Sequence, residues 1–242
     1  VIEYDASIQP AEVRNIYKSV AGVQLVENVK PMKLIGGEKF RRITVSDLNT
    51  NATTAMPFDD PMLPSQWHYN NDGSISGTVA GADANVFKGW EIETGKKDVL
   101  VAIVDGGFQV DHPDLAQNVY VNEAEKNGKP GVDDDGNGYT DDVYGYNFVI
   151  NSADVNAHSH GTHVAGTVGA VNGNGLGVAG VAGGSGEGGV KMLVCQIFDE
   201  RASASMGGDQ AAALVYAADM GASIAQCSWG WAEDGYYEQA VL

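Results

Sequence analysis

Asp98-Val-Leu-Val-Ala-Ile-Val-Asp105 is the stretch on which the fold turns. Six apolar residues stand in a row between two aspartates. A half-buried strand alternates apolar and polar side chains. An unbroken run this short instead fits a strand buried on both faces of a parallel sheet. Residues 190–198 and 222–228 carry two further runs of the same kind. Between and around them lie helical stretches: 162–171, apolar enough to be buried, and 206–220, rich in alanine and closed by Gly221. Strands alternating with helices predict an α/β domain built on a parallel sheet. In such sheets, sites form beyond the carboxyl ends of the strands. The first run ends in Asp105-Gly106-Gly107 and so presents a candidate acid at such a place.

Further along stands His158-Ser-His-Gly-Thr-His-Val-Ala-Gly166, with three histidines in six positions at the mouth of an apolar helix. Three kinds of chemistry fit. Zinc binding is disfavoured: the helical zinc hydrolase pattern needs two histidines four apart with a glutamate beside the first. Here His160 and His163 are three apart, and their neighbours are Gly and Thr. A structural role suits His158 as a helix cap and His163 as a buried helix residue. General acid–base catalysis needs one imidazole whose second nitrogen is held by a carboxylate. Asp105 is the upstream carboxylate at a strand end, and His160 is the histidine it would hold.

Residues 131–142 read Gly-Val-Asp-Asp-Asp-Gly-Asn-Gly-Tyr-Thr-Asp-Asp. So many carboxylates repel one another unless a cation neutralises them. Asp133, Asp135, Asn137 and Asp141, with the carbonyl of Tyr139, fall on the ligand spacing of an EF-hand-type loop. Position 12 is Tyr144 rather than the bidentate glutamate. Calcium is the expectation, and a solvated acidic loop is the alternative.

The chain's formal net charge is −18. That disfavours nucleic acid and anionic membranes as partners, since both require basic surface. Residues 1–50 hold seven Lys/Arg and six Asp/Glu, a net +1, so the remainder carries −19. This asymmetry predicts two modules: a small α+β unit over 1–49 and a larger acidic domain over 58–242, joined by a linker at 50–57. In the small unit, strands are expected at 1–4, 23–29 and 40–45, with a helix opened by Pro10. It has too few apolar residues to be stable alone and would lean on the larger domain. A short helix is expected at 83–94, and another begins at 238. Cys195 and Cys227 sit in strand-like runs and are expected to be buried free thiols. No run reaches the ~18 apolar residues of a membrane span. The opening Val-Ile-Glu-Tyr-Asp lacks the pattern of a secretion signal.

The motifs together resemble those of the subtilisin-like serine proteases, the subtilases. Val-Ala-Ile-Val-Asp105-Gly-Gly with His112-Pro-Asp-Leu resembles their Asp block, and His160-Gly-Thr-His-Val-Ala-Gly-Thr their His block. Trp90-Glu-Ile-Glu-Thr-Gly resembles the helix before the Asp strand. Gly177-Val-Ala-Gly-Val-Ala resembles the turn after the His helix, and Cys227-Ser-Trp-Gly230 the strand that pairs with substrate. The resemblance covers about 58–242. It implies a three-layer, parallel-sheet α/β domain, incomplete in this chain, and a serine endopeptidase working through an Asp-His-Ser acyl-enzyme mechanism. Asp105 would orient His160, His160 would act as general base, and Ser228, Trp229 and Gly230 would line the substrate cleft. Asp114 would bind a structural calcium. The 1–49 module would be an inhibitory propeptide packed on the catalytic domain, making the protein a zymogen, and the enzyme would be secreted to an extracellular or periplasmic space. Two departures stand out. Gly106 replaces the Ser or Thr that usually follows the Asp and helps hold it. The Ser block Gly-Thr-Ser-Met-Ala and the oxyanion Asn are not among these residues, so the nucleophile is expected beyond Leu242 on the C-terminal remainder, and this chain alone would be inactive. The alternative is a non-catalytic calcium- or peptide-binding protein on the same scaffold.

Overall fold

In a computed structural model, the described residues are Gln9, Glu12, Asn15, Ile16 and residues 32–34, 55–201 and 207–231. The strands expected at 1–4, 23–29 and 40–45, and the helix from 238, lie outside them. Glu12, Asn15 and Ile16, inside the expected first helix, are helical.

Among the described residues, the centre is a four-stranded parallel sheet of order β3-β4-β2-β5. Its strands are β2 (Leu100–Asp105), β3 (Gly145–Asn147), β4 (Lys191–Gln196) and β5 (Ile224–Cys227). Every residue of β2 is buried, as its unbroken apolar run requires. Its side chains divide between two cores. Leu100, Ala102 and Val104 join Leu193, Cys195 and Ile197 on one face, under Ala213, Tyr216 and Ala217 of a helix at Gln210–Asp219. Val101 and Ile103 join Met192 and Val194 on the other, under Ala165 of a helix at Ser159–Gly169. Helix, sheet and helix make the three layers.

The helices are α1 (Val86–Trp90), α2 (Glu123–Lys126), α3 (Ser159–Gly169) and α4 (Gln210–Asp219). Asp209 caps α4 by accepting the Ala212 N–H at 3.0 Å, and Gly221 leaves it at φ +85. The helix expected over 83–94 is confined to α1, and Ile92 is 89% exposed just past it. Trp90 anchors this region: it stacks on Phe87, meets Phe58 and Tyr69 edge-on, and donates its indole N–H to the Val181 carbonyl at 2.8 Å.

Two expectations change. The strand at 222–228 was expected to be buried, yet β5 is largely exposed, with Ile224 at 53%. Among the described strands it stands last in the sheet, and an apolar run does not encode whether neighbours cover it. Cys227 is therefore exposed, while Cys195 on β4 is buried; both stand in register with Val104 of β2. A second, unexpected sheet also appears. β1 (Met32–Leu34) pairs antiparallel with β6 (Trp229–Trp231), with Met32 opposite Trp231, Lys33 opposite Gly230 and Leu34 opposite Trp229.

Candidate active site

Asp105 closes β2 and is fully buried. Its Oδ1 accepts the Gly106 N–H at 2.7 Å. His160 lies in the first turn of α3, 5% exposed. Its Nδ1 stands 2.8 Å from Asp105 Oδ1 and 3.0 Å from Oδ2, so a proton on Nδ1 bridges to the carboxylate and Nε2 is left as the basic nitrogen. The close approach of α3 to the end of β2 depends on Gly161: a Cβ there would lie 2.1 Å from the Gly107 carbonyl oxygen. Gln109 N–H donates to Thr162 Oγ1 at 3.1 Å and joins the two segments again.

The segment quoted for substrate pairing follows β5. Ser228 Oγ accepts from Gln226 Nε2 at 2.9 Å. Trp229 donates its indole N–H to the Val104 carbonyl at 2.9 Å, which ties β6 to the strand that carries Asp105. Gly230 faces Lys33 of β1 across the antiparallel ladder.

On the other flank, Asp199 is held by Arg201, whose Nε lies 3.0 Å from Oδ1 and Nη2 2.7 Å from Oδ2. Arg201 Nη1 also reaches Asp154 Oδ2 at 2.8 Å. The guanidinium holds the Asp199 carboxyl down at about 2. No sequence motif pointed to this cluster, because its members are joined by the fold.

The acidic loop is organised differently from its sequence spacing. Asp133 turns its carboxylate onto the N–H groups of Gly136, Asn137 and Gly138. Asp141 accepts from Gly131 N–H at 2.8 Å, and Tyr139 N–H donates to Asn137 Oδ1 at 2.7 Å. Of the expected set, only Asp135 joins a group whose carboxylate oxygens converge within 4.8 Å; the others are Glu125 of α2 and Asp142. Glu125 and Asp142 are buried. Burial pushes the Asp142 carboxyl above its ordinary range, although Tyr216, Asn137 and Asn122 all donate to it. Tyr144 stands where an EF-hand has its glutamate, whereas Glu125, from outside the loop, brings its carboxylate close to those of Asp135 and Asp142. Asp114 lies apart, buried, accepting from Asn174 Nδ2 at 2.9 Å and Val178 N–H at 2.9 Å. Near it is buried Asp60, whose carboxyl is raised by burial and also by the charge of Asp114.

A buried aspartate on one imidazole nitrogen, at the carboxyl end of a parallel strand, is the local geometry of a hydrolase's acid–base pair. Comparison with known proteins agrees: the model of the subtilase family matches residues 96–241, more than half of the chain. The chain belongs to the subtilase family. Subtilisin-like protease 1 of Plasmodium vivax is 44% identical over 108 residues, covering 44% of this chain and 16% of that protein. Endoprotease bli-4 of Caenorhabditis elegans is 34% identical over 181 residues, covering 75% of this chain and 16% of that protein. Among solved structures, fervidolysin from Fervidobacterium pennivorans, a keratinolytic enzyme related to subtilisin, superposes with a TM-score of 0.50 at 25% identity, over 81% of this chain and 25% of that one. This subtilase chain thus spans about a sixth of the length of each of these two curated relatives. No helix among its described residues is long and apolar enough to cross a membrane.

Proposed function

We propose that these residues are the Asp–His portion of a serine endopeptidase. The observation that carries this reading is the contact of His160 Nδ1 with buried Asp105 at 2.8 Å. A serine outside the 242 residues would supply the nucleophile. His160 Nε2 takes the serine hydroxyl proton as the oxygen attacks the peptide carbonyl. It then returns that proton to the leaving amine as the C–N bond breaks and the acyl-enzyme forms. Water, activated in the same way, releases the acid. Asp105 stays ionised, keeps His160 in the productive tautomer and offsets the imidazolium charge. Substrate backbone would add to the Ser228–Gly230 edge by strand pairing.

The β1–β6 ladder supports two further parts of the reading. An N-terminal module over 1–49 would pack on the catalytic domain, linked through 50–57, and its β1 would lie on the edge that substrate would use. The protein would then be a zymogen. Family membership makes a secreted, extracellular or periplasmic site the natural one.

Calcium would be structural. Glu125, Asp135 and Asp142 fit it by chemistry, as hard oxygen donors two of which are buried and like-charged. Asp133, Asn137, Tyr139 and Asp141 would frame that loop. Asp114, with Asp60 beside it, would form a second site. The ions would contribute charge neutralisation and no chemical step.

The test is made on the intact precursor. A fluorophosphonate probe should label one serine beyond residue 242, as located by mass spectrometry. Asp105→Asn or His160→Ala should lower peptide hydrolysis by ~10⁴-fold or more. Absence of both labelling and hydrolysis would leave the non-catalytic peptide- or calcium-binding reading in its place.

A further inference from the structure

Gly106 stands where subtilases usually carry a hydroxyl that helps hold the Asp, and the fold shows what fills that space. A Cβ on residue 106 would lie 2.8 Å from His158 Cγ and 3.0 Å from both its Cβ and Nδ1. The His158 ring therefore occupies the volume that a side chain at 106 would need. The same ring caps the helix that carries His160. His158 is extended at φ −118, ψ 139, and its Nδ1 accepts the His160 backbone N–H at 3.1 Å. That contact fixes the tautomer: Nδ1 carries the lone pair and Nε2 the proton. Nε2 points to Glu200 Oε1 at 3.3 Å, the partner a proton there would choose. The His158 backbone N–H also donates to the Gly107 carbonyl at 3.3 Å. One residue thus grips the turn after Asp105 and the backbone of His160 together, with the two imidazole centroids 6.5 Å apart.

We propose that His158 is a positioning residue for the Asp105–His160 pair, and that Gly106 and His158 form a compensating couple that takes the place of a hydroxyl at position 106. The inference rests on the reading of His160 as general base. An imidazole is an unusual cap, since Asn, Asp, Ser and Thr perform this role more often. Its bulk explains the choice, because an asparagine would cap the helix but leave the space above Gly106 unfilled. Displacing the base by a fraction of an ångström changes attack geometry more than it changes substrate affinity.

Two arms test this. In the intact enzyme, His158→Ala should lower kcat by ~10–100-fold with little change in KM. His158→Asn, which restores an acceptor for the His160 N–H, should recover most of that loss. Gly106→Ser should be damaging beside His158 but well tolerated in the His158→Ala background, so that the two effects do not add. Equal losses for His158→Ala and His158→Asn, or a harmless Gly106→Ser beside His158, would overturn the proposal. The second arm also uses the intact enzyme and needs no peptidase activity. The downfield proton resonance of His160 Nδ1–H on Asp105 should persist in His158→Asn and be lost or shifted in His158→Ala. An unchanged resonance in His158→Ala would also overturn the proposal. If the wild-type enzyme hydrolyses nothing, the general-base reading fails separately, and the resonance still decides whether His158 positions the pair.

Discussion

Among the described residues Arg201 is the only cation that meets Asp199, a side chain with no exposed surface, and it does so through two nitrogens. The carboxyl's ordinary value of 3.8 falls to about 2 in the folded chain. A depressed folded value means the interaction is fully present above pH 3.8 and is lost as pH falls through about 2. Arg201→Met should therefore destabilise the protein at neutral pH and flatten the acid limb of its stability curve between those two values, as read by urea unfolding at stepped pH. A wild-type acid limb in the variant would show that the pair contributes nothing. Single residues were legible in the sequence where their chemistry is written into local spacing. Asp105 closes an apolar run and His160 opens a helix, so each announces its element and its place at a strand end. Arg201, Asp199 and Asp154 announce nothing, because a bidentate contact across a loop has no spacing to read. Gly106 was legible as a departure but not as half of a couple, since only the fold brings the His158 ring over it.

At the scale of elements, the acidic loop and α2 act as one unit. Glu125 Oε1 accepts the N–H groups of Asp134 and Asp135 at 2.7 and 3.2 Å, so the short helix organises the loop before any ion is considered. With Asp142 held above its ordinary range by burial, the unit alone is most stable when that carboxyl is protonated, and it loses stability as pH rises through the raised value. A divalent cation would reverse that trend. Added calcium should raise the melting temperature, EDTA should lower it, and Glu125→Gln should abolish most of the difference. Differential scanning calorimetry at pH 7 reads all three, and a calcium-independent melting curve would remove the site. Tyr216→Phe tests the same unit from α4. It deletes the O–H that meets Asp142 at 2.6 Å and should cost about 1.5–3 kcal/mol in chemical denaturation, the usual range for a hydrogen bond to a charged group. The strands β2 and β4 were legible because their burial on both faces is set by their own residues. β5 was legible as a strand but not as an edge, for the apolar pattern is the same whether or not a neighbour covers it. Glu125 was hidden because Glu-Ala-Glu-Lys reads as solvent-facing helix until the loop folds over it.

Over the whole molecule, the feature with most bearing on activity is the pairing of Met32–Leu34 with Trp229–Trp231. If β1 holds the edge that substrate needs, removing residues 1–54 from the folded precursor should raise kcat/KM for peptide hydrolysis, and the detached module should inhibit in trans. Lys33→Pro, which puts a fixed φ and a ring at the centre of the ladder, should weaken that inhibition by ~10-fold or more. Equal inhibition by both modules would exclude the ladder from the mechanism. The sequence suggested a weakly basic module against a strongly acidic body, but not which strand would meet which edge: the three residues between Pro31 and Ile35 carry no pattern, and their partner lies almost at the other end of the chain. The register of β2 has a last consequence. Cys195 and Cys227 each stand opposite Val104, one on either side, and so lie two strand spacings apart, about 10 Å. A disulfide closes only below ~7 Å between Cα atoms. The two sulfurs are thus insulated from each other by a strand that cannot move without unravelling the sheet, and an oxidising medium closes no bond between them.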